Sequence, residues 1–345
     1  MGEQQLPTVS GFNTLIHELG HSLGMKHPFA SGQRNPTVAE PSEQFTDTSI
    51  MNYNSRTVVN VPTGDSDGSY YQFNDSKTQL SLFDIAYMTY FYGVNQAYHA
   101  DNNTYRFAAF NPQSSEANNG AEYGVLIVDG NGRDVIDATD QTASVHIDLT
   151  PGSWNYVNQK NDTIAYQPAD NPENATPQAG QLFISYNSII EDAKGGTGND
   201  TLIGNDGANY LYGYDGDDTI IGGAGNDQLD GGRGADTLTG GTGADQFIFA
   251  SPIDGKTDTI VDFNAAEGDK IVLDSRFFKA LTRGTLAQSH FHSGTAPADA
   301  DDFLIYDKAS GKLQYDEDGT GNKIAVTIAT LQNHADLLHA NIEVV

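Results

Sequence analysis

Cysteine is absent from the 345 residues, which excludes disulfide bonds and thiolate metal sites. Basic residues are scarce, because 17 Lys and Arg stand against 46 Asp and Glu, a formal net charge of −29. This charge repels nucleic-acid phosphates and anionic lipid headgroups, so we expect neither partner. No apolar run approaches the ~20 residues of a membrane span. The first ten residues also lack the basic and apolar regions of a cleavable secretory signal.

Apolar residues make up only 37% of the chain, whereas glycine is abundant with 37 residues. The length predicts about two domains. Residues 12–23 and 80–92 have apolar side chains at helical spacing. Farther along, short alternating runs such as 145–149 predict strands. We therefore predict an α+β protein that is mainly β, with one domain over residues 1–98 and a second over residues 99–345.

The strongest signal is an internal repeat of nine residues that begins at Gly195 and continues in frame through Ile248. Its first three copies read GGTGNDTLI, GNDGANYLY and GYDGDDTII. The eighth position is apolar in all six copies, which predicts a short strand and then a turn in each. Two copies form one coil of a two-sided roll, so turns on one side stack at intervals of eighteen residues.

The sixth position of every copy carries an acid or its amide, and Ca²⁺ prefers carboxylate and carbonyl oxygens as ligands. Asp200, Asp218 and Asp236 are expected to stack on one side of the roll, and Asn209, Asp227 and Asp245 on the other. The amide at Asn209 predicts a weaker site there. Downstream, three more acids are candidate calcium ligands, namely Asp258, Asp262 and Asp269. The repeat resembles the RTX nonapeptide of calcium-binding parallel β-rolls.

A second metal pattern lies near the start, where residues 17–27 read HELGHSLGMKH. His17 and His21 are four residues apart and so lie on one helix face. Gly24 allows the chain to turn back and bring His27 to the same point. Three imidazoles and one open position are typical of a catalytic zinc, and Glu18 is placed to act as the general base.

The extended motif HExxHxxGxxH is the metzincin pattern, which requires a Met-turn downstream. The sequence SIMNY supplies one, with Met51 as the apolar floor beneath the histidines. Together with the repeat, this arrangement resembles the serralysins, which are secreted bacterial zinc endopeptidases with an RTX β-roll. The resemblance implies that Tyr53 ligates the resting zinc and stabilises the transition state. It extends through residues 128–136 and 258–263.

The resemblance implies a secreted zinc metalloendopeptidase that hydrolyses peptide bonds in proteins, with calcium stabilising its C-terminal domain. It also implies export by type I secretion machinery without a cleaved signal peptide, and a small proteinaceous inhibitor as a further partner. By this resemblance residues 1–98 are expected to form the C-terminal part of a metzincin catalytic domain, and residues 99–345 the RTX β-roll domain with a C-terminal secretion region. Only sixteen residues precede His17, so the rival hypothesis is an RTX binding or structural protein with a zinc site but little turnover, because the N-terminal half of the catalytic domain is expected to be missing. An RTX lipase or polysaccharide-modifying enzyme needs another motif such as GxSxG, which the sequence lacks.

Several features have simpler interpretations. His290 and His292 are spaced as a metal pair but have no third ligand nearby, which favours surface histidines. Asp316 and Asp318 precede Gly319 and are compatible with either a calcium site or a plain turn. Trp154 and the 17 Tyr favour aromatic packing over a sugar-binding surface. The last four residues combine an acid with apolar neighbours, which fits a secretion tail, a terminal strand or both.

Overall fold

The computed structural model describes residues 58–62, 70–74, 101–107, 125–158 and 181–345. The first two strands, β1 (Val58–Pro62) and β2 (Tyr70–Asn74), form an antiparallel pair. The predicted helices at 12–23 and 80–92 and the predicted boundary at 98/99 lie outside the described residues, so they stay predictions. Over the described residues no helix has the length and apolar character that crossing a membrane requires.

The rest of the described chain forms two large sheets that share one hydrophobic core. The first sheet contains β4 (Val125–Ile127), β6 (Val145–Asp148), β7 (Trp154–Val157), β8 (Gln181–Ile184), β10 (Thr201–Ile203), β12 (Thr219–Ala224), β14 (Thr237–Thr242), β16 (Asp258–Ile260), β19 (Phe291–Ser293), β20 (Leu304–Asp307), β21 (Lys312–Tyr315) and β22 (Val326–Leu331). The second sheet contains β3 (Thr104–Arg106), β5 (Val135–Asp137), β9 (Asp192–Lys194), β11 (Tyr210–Tyr212), β13 (Gln228–Asp230), β15 (Gln246–Phe249), β17 (Lys270–Leu273), β18 (Gly284–Thr285) and β23 (Ile342–Val344). Short 3-10 turns occupy Gln288–His290 and His339–Asn341.

The nonapeptides form a parallel β-roll, as the sequence predicts. Successive strands from β10 to β15 alternate between the two sheets, and each pairs in parallel with the strand one full coil away. Leu202 is opposite Ile220 and Leu211 is opposite Leu229, a spacing of eighteen residues. The apolar eighth positions point inward and are fully buried: Leu202, Leu211, Ile220, Leu229, Leu238 and Phe247.

Both ends of the roll are closed by less regular strands. After Ile248 the coils lengthen, so that Leu238 is opposite Ile260 and Phe247 is opposite Ile271. The antiparallel strands β20, β21 and β22 then cover the end of the first sheet. The C-terminal strand β23 pairs in parallel with β17, which agrees with the predicted terminal strand. At the other end, β6, β7 and β8 form an antiparallel meander.

Candidate calcium sites of the roll

The sixth-position side chains form two columns along the roll, one at the turns on each side. In the first column, the backbone N–H of Asp200 donates to Asp218 Oδ1 at 2.7 Å, and that of Asp218 donates to Asp236 Oδ1 at 2.8 Å. Asp258 continues the column, because its Oδ1 accepts the N–H of Asp236 at 3.0 Å. Each carboxylate therefore caps the preceding coil with one oxygen.

The second column repeats this arrangement on the opposite side. The N–H of Asn209 donates to Asp227 Oδ1 at 2.8 Å, and the N–H of Asp227 donates to Asp245 Oδ1 at 2.9 Å. Asp269 closes the column by accepting the N–H of Asp245 at 3.0 Å. Asp262 has a different position, because its two oxygens accept the N–H groups of Gly240 and Gly241. The predicted stacking is present on both sides.

The second carboxylate oxygen shows where a cation fits. Oδ2 has no hydrogen-bond partner at four buried positions, which are Asp218, Asp227, Asp236 and Asp245. A Cβ placed on Gly222 would lie 2.4 Å from Asp227 Oδ2 and 2.5 Å from the Gly240 carbonyl oxygen, so both oxygens face one cradle. Buried polar atoms without a partner are costly, and carboxylates plus carbonyls are calcium ligands. The turns therefore fit Ca²⁺.

The first side chain of each column has more hydrogen bonds than the side chains in the middle. Both oxygens of Asp200 are used by the backbone, since Oδ1 accepts the N–H of Val145 and Oδ2 accepts that of Gly196. At Asn209, Oδ1 accepts the N–H of Asn205, and Nδ2 donates to the Glu191 carbonyl at 2.9 Å. The amide thus makes bonds that a carboxylate could not make, which supports the expectation of a weaker calcium site.

Asn209→Asp should therefore act in opposite directions with and without calcium. The new carboxylate faces the Glu191 carbonyl that the amide N–H contacts. Losing that bond should destabilise the metal-free roll by about 1–3 kcal/mol. The added charge should lower the calcium concentration at half-saturation. Urea unfolding and calcium titration of the two proteins measure these effects, and a variant stabilised without calcium would contradict this description of Asn209.

The carboxylates of the columns are harder to ionise than ordinary acids. Burial, with smaller contributions from neighbouring carboxylates, raises the pKa of Asp218 to about 8, of Asp227 to about 7 and of Asp236 to about 6. The pKa of Asp258 is raised to about 8 for the same reasons. At neutral pH several of these groups bind protons when no cation is present.

The metal-free roll should consequently lose stability as the pH rises. Between about pH 4 and pH 8 the folded state binds more protons than the unfolded state, because the folded pKa values are raised. The free energy of unfolding should thus fall across this range. With calcium present the dependence should reverse, since protons compete with the metal. Far-UV circular dichroism at pH 5 and pH 8, after passage over a chelating resin, measures this; a larger β-sheet signal at pH 8 than at pH 5 without calcium would contradict it.

A second hydrogen-bond ladder connects the coils without any metal. Three of the six copies have Asn or Asp at the fifth position, and these side chains accept backbone N–H groups from the next coil: Asn199 from Asp217 at 3.1 Å, Asp217 from Ala235 at 2.9 Å and Asn226 from Ala244 at 2.9 Å. The sequence analysis missed this role of the fifth position. The recurrence of Asn and Asp there is the signal that could have revealed it.

The second column also extends beyond the repeat, which the sequence analysis missed. The register of β5, β9 and β11 places Asp134 and Glu191 in line with Asn209. Asp134 is fully buried, its Oδ1 accepts the N–H of Asn103 at 2.6 Å, and its Oδ2 has no partner. Burial, followed by the charges of Asp129 and Glu191, raises its pKa to about 6.

Asp134 is therefore a further candidate calcium ligand. The sequence signal was present as a single isolated turn, because residues 128–136 read VDGNGRDVI and contain the same G-x-G-x-D spacing as the repeat. A single copy has no period around it, so the pattern resembles an ordinary glycine turn.

The predicted zinc-site residues lie outside the described residues, and the site stays a prediction: His17, Glu18, His21, His27, Met51 and Tyr53. In the described ranges no three His, Asp or Glu side chains converge on a point suited to a metal ion. Calcium in the roll would consequently depend on backbone carbonyls together with one carboxylate from each turn.

The remaining candidates do not form a metal site among the described residues. Nδ1 of His290 is buried and has no hydrogen-bond partner. His292 Nδ1 lies 3.5 Å from Asp302 Oδ2, without a third ligand among the described residues. Asp318 accepts the N–H of Asn322 at 3.0 Å, and its own N–H donates to Asp316 Oδ1 at 3.2 Å. This hydrogen bonding is that of a self-capped turn.

Comparison with known proteins identifies the same repeat that forms the roll. Residues 194–229 and 212–247 match the family model of the RTX calcium-binding nonapeptide repeat. The chain is 30% identical over 205 residues to "Metalloprotease AprA" of Pseudomonas entomophila, covering 58% of this chain and 38% of that protein. It is 34% identical over 215 residues to "Serralysin" of Proteus mirabilis, covering 57% of this chain and 36% of that protein. The chain spans less than two fifths of these relatives' lengths.

Among solved structures, the chain is similar to the AlgE6R3 subunit of the Azotobacter vinelandii mannuronan C5-epimerase. The sequences are 29% identical, the match covers 42% of this chain and 77% of that one, and the TM-score is 0.28. At this TM-score the likeness adds nothing to the fold described above.

Proposed function

We propose that this chain, which carries RTX calcium-binding repeats and is similar to serralysins, acts as a secreted zinc-dependent endopeptidase of the serralysin type. The observation that carries the proposal is the joint presence of HExxHxxGxxH at residues 17–27 and the calcium-type turns of the roll in one chain. The named relatives are metalloproteases at 30–34% identity. Secretion by a type I system and inhibition by a small protein belong to the same proposal.

In this proposal His17, His21 and His27 would hold the zinc, and the Lewis acidity that it would supply is the kind that favours attack of water on a peptide carbonyl. Glu18 accepts the proton of the attacking water and returns it to the leaving amine. Tyr53 donates a hydrogen bond to the oxyanion as it develops. The roll contributes stability rather than chemistry, since calcium binds to its folded state.

Glu18→Ala should keep stoichiometric zinc and lose peptide hydrolysis, because only the base is removed. General acid–base groups contribute about 10²–10⁴-fold to rate, so kcat/KM should fall by that factor. Glu43→Ala, which lies outside the motif, is the matched control and should leave the rate unchanged. Metal analysis and hydrolysis of a quenched-fluorescence peptide measure both quantities.

Two outcomes would contradict the assignment. Stoichiometric zinc that survives in His21→Ala would show that the ligand set is wrong. A wild-type protein that binds zinc but hydrolyses no peptide would favour the rival function, an RTX binding protein that retains a zinc site.

A further inference from the structure

Three tyrosines form an aromatic stripe on the outer face of the second sheet. In β11 the burial alternates, so Leu211 points into the core while Tyr210 and Tyr212 point outward and are partly exposed. The Tyr210 and Tyr212 ring centroids lie 6.4 Å apart. Tyr214, in the following turn, stacks on Tyr212 with the centroids 3.9 Å apart and the planes at 23°. We call Tyr210, Tyr212 and Tyr214 the tyrosine stripe.

Tyr214 maintains this stacking in a backbone conformation that favours glycine. Its φ is +78°, and it occupies the second position of its nonapeptide, where the next three copies have glycine. A bulky residue at positive φ is strained, and such strain concentrates at functional sites. Glycine at this position would remove the backbone strain and stabilise the roll, so the presence of the Tyr214 ring needs an explanation.

Charged groups flank the stripe on both sides. On the β9 side, Lys194 lies opposite Tyr212 and Asp192 lies opposite Tyr210. Asp192 receives two hydrogen bonds from Arg133, at 2.7 and 3.0 Å.

One row farther, Asp137 receives a hydrogen bond from Arg106 at 2.6 Å. On the β13 side, Asp230 lies opposite Tyr212; it is buried, and its Oδ1 has no hydrogen-bond partner. The surroundings of the stripe therefore contain hydrogen-bond donors and acceptors of both signs.

These features select an uncharged ligand rich in hydroxyl groups. A polyanion is repelled by the net charge of −29, and Lys194, which lies opposite Tyr212, repels a polycation at the stripe. Flat aromatic faces combine apolar surface with polar edges, which suits the C–H face of a sugar ring with hydroxyls around it. We propose that the tyrosine stripe binds a neutral polysaccharide of hexopyranose units.

The site requires the folded roll. Tyr210, Tyr212 and Tyr214 belong to the second and third nonapeptides, between turns whose Oδ2 atoms at Asp218 and Asp227 have no partner without a cation. Calcium that completes those turns also fixes the stripe. Binding of the polysaccharide should therefore need calcium, and it is independent of the proposed protease activity.

Affinity electrophoresis of the full chain in calcium tests the proposal, with a β-1,3-glucan, a β-1,4-mannan and an α-1,6-glucan in separate gels. Alginate serves as the polyanionic comparison. At least one neutral polymer should retard the protein, whereas alginate should not. Retardation should disappear with chelator, and far-UV circular dichroism reports whether the roll unfolded in parallel.

Variants identify the site. Tyr214→Gly should weaken binding at least tenfold while the melting temperature stays equal or rises, because glycine accepts the positive φ. Tyr214→Phe keeps the ring and should retain binding. Tyr156→Ala is the matched control, since that ring stacks on His146 on the outer face of the other sheet. Absence of retardation by all three neutral polymers, retardation by alginate, or unchanged retardation of Tyr214→Gly would overturn the proposal.

Discussion

At pH 8, where the raised carboxyl pKa values no longer favour the metal-free fold, removal of calcium should unfold the roll and abolish most of its β-sheet circular dichroism signal. Four buried carboxylate oxygens would then have neither a cation nor a hydrogen bond. A ligand that binds only to the folded state raises the free energy of unfolding by about 2.7 kcal/mol when its concentration is 100 times its Kd, so calcium at four such sites raises it by about 11 kcal/mol. That is comparable with the whole stability of a typical domain, about 5–15 kcal/mol. Circular dichroism during chelation and calcium readdition measures the transition.

Two substitutions test whether the unpartnered oxygens cause this dependence. Asp227→Asn removes one of them and should raise the calcium concentration needed for folding. Asp217→Asn is the matched control, because Asp217 accepts its hydrogen bond from Ala235 in the other ladder and the amide oxygen can still accept it. A roll that keeps its full β signal in excess chelator, or equal midpoints for the two variants, would disprove the role assigned to the columns.

Gly243→Ala should destabilise the roll even when calcium is saturating. Gly243 has φ +135°, and an added Cβ would lie 1.7 Å from the carbonyl oxygen of Gly225 in the neighbouring coil. The methyl group would have to separate two hydrogen-bonded coils in addition to straining the backbone. We expect a loss of about 3 kcal/mol or more in the free energy of unfolding, at the upper end of single-substitution effects. Urea unfolding in calcium measures the loss.

Gly255→Ala separates the steric cause from the backbone cause. Gly255 also has positive φ, at +82°, but no atom lies within 4 Å of its added Cβ. It should therefore lose only the backbone preference, about 1–2 kcal/mol. Similar losses in the two variants would show that close coil stacking at Gly243 is not the reason for its glycine.

The regular part of the fold could be predicted from the sequence because the apolar residues that define the nine-residue period are also the residues that form the core. Because the eighth position of every nonapeptide is apolar, the sequence predicts that Leu202 and Ile220 meet in the core one coil apart, and they do. The same period placed Asp218 beside Asp236 before any coordinates were known. Repetition replaces the long-range information that a single sequence otherwise lacks.

The rest could not be predicted because it has no period. Asp134 joins the second column through the pairing of β5 with β9, which lie far apart in the chain, and its single G-x-G-x-D turn has no repeat around it. Glu191 lies eighteen residues before Asn209 and so keeps the period, but the glycines that mark the repeat are missing there. The exposed tyrosine stripe was also missed, because aromatic residues alone indicate packing more often than a binding surface. At Tyr214 the signal was a departure from the repeat, where a side chain replaces the glycine that its φ favours.

The constant spacing of eighteen residues has a consequence for how such a chain can change in length. Every inner coil contacts the coil before it and the coil after it in the same way, as the shared register of β10, β12 and β14 shows. Duplication or loss of eighteen residues, or of a multiple of eighteen, would rejoin equivalent positions. An odd multiple of nine would move the following strands to the opposite sheet, and a number that is not a multiple of nine would take the core leucines and the column carboxylates out of phase. Insertions and deletions therefore preserve the roll only when they add or remove whole coils.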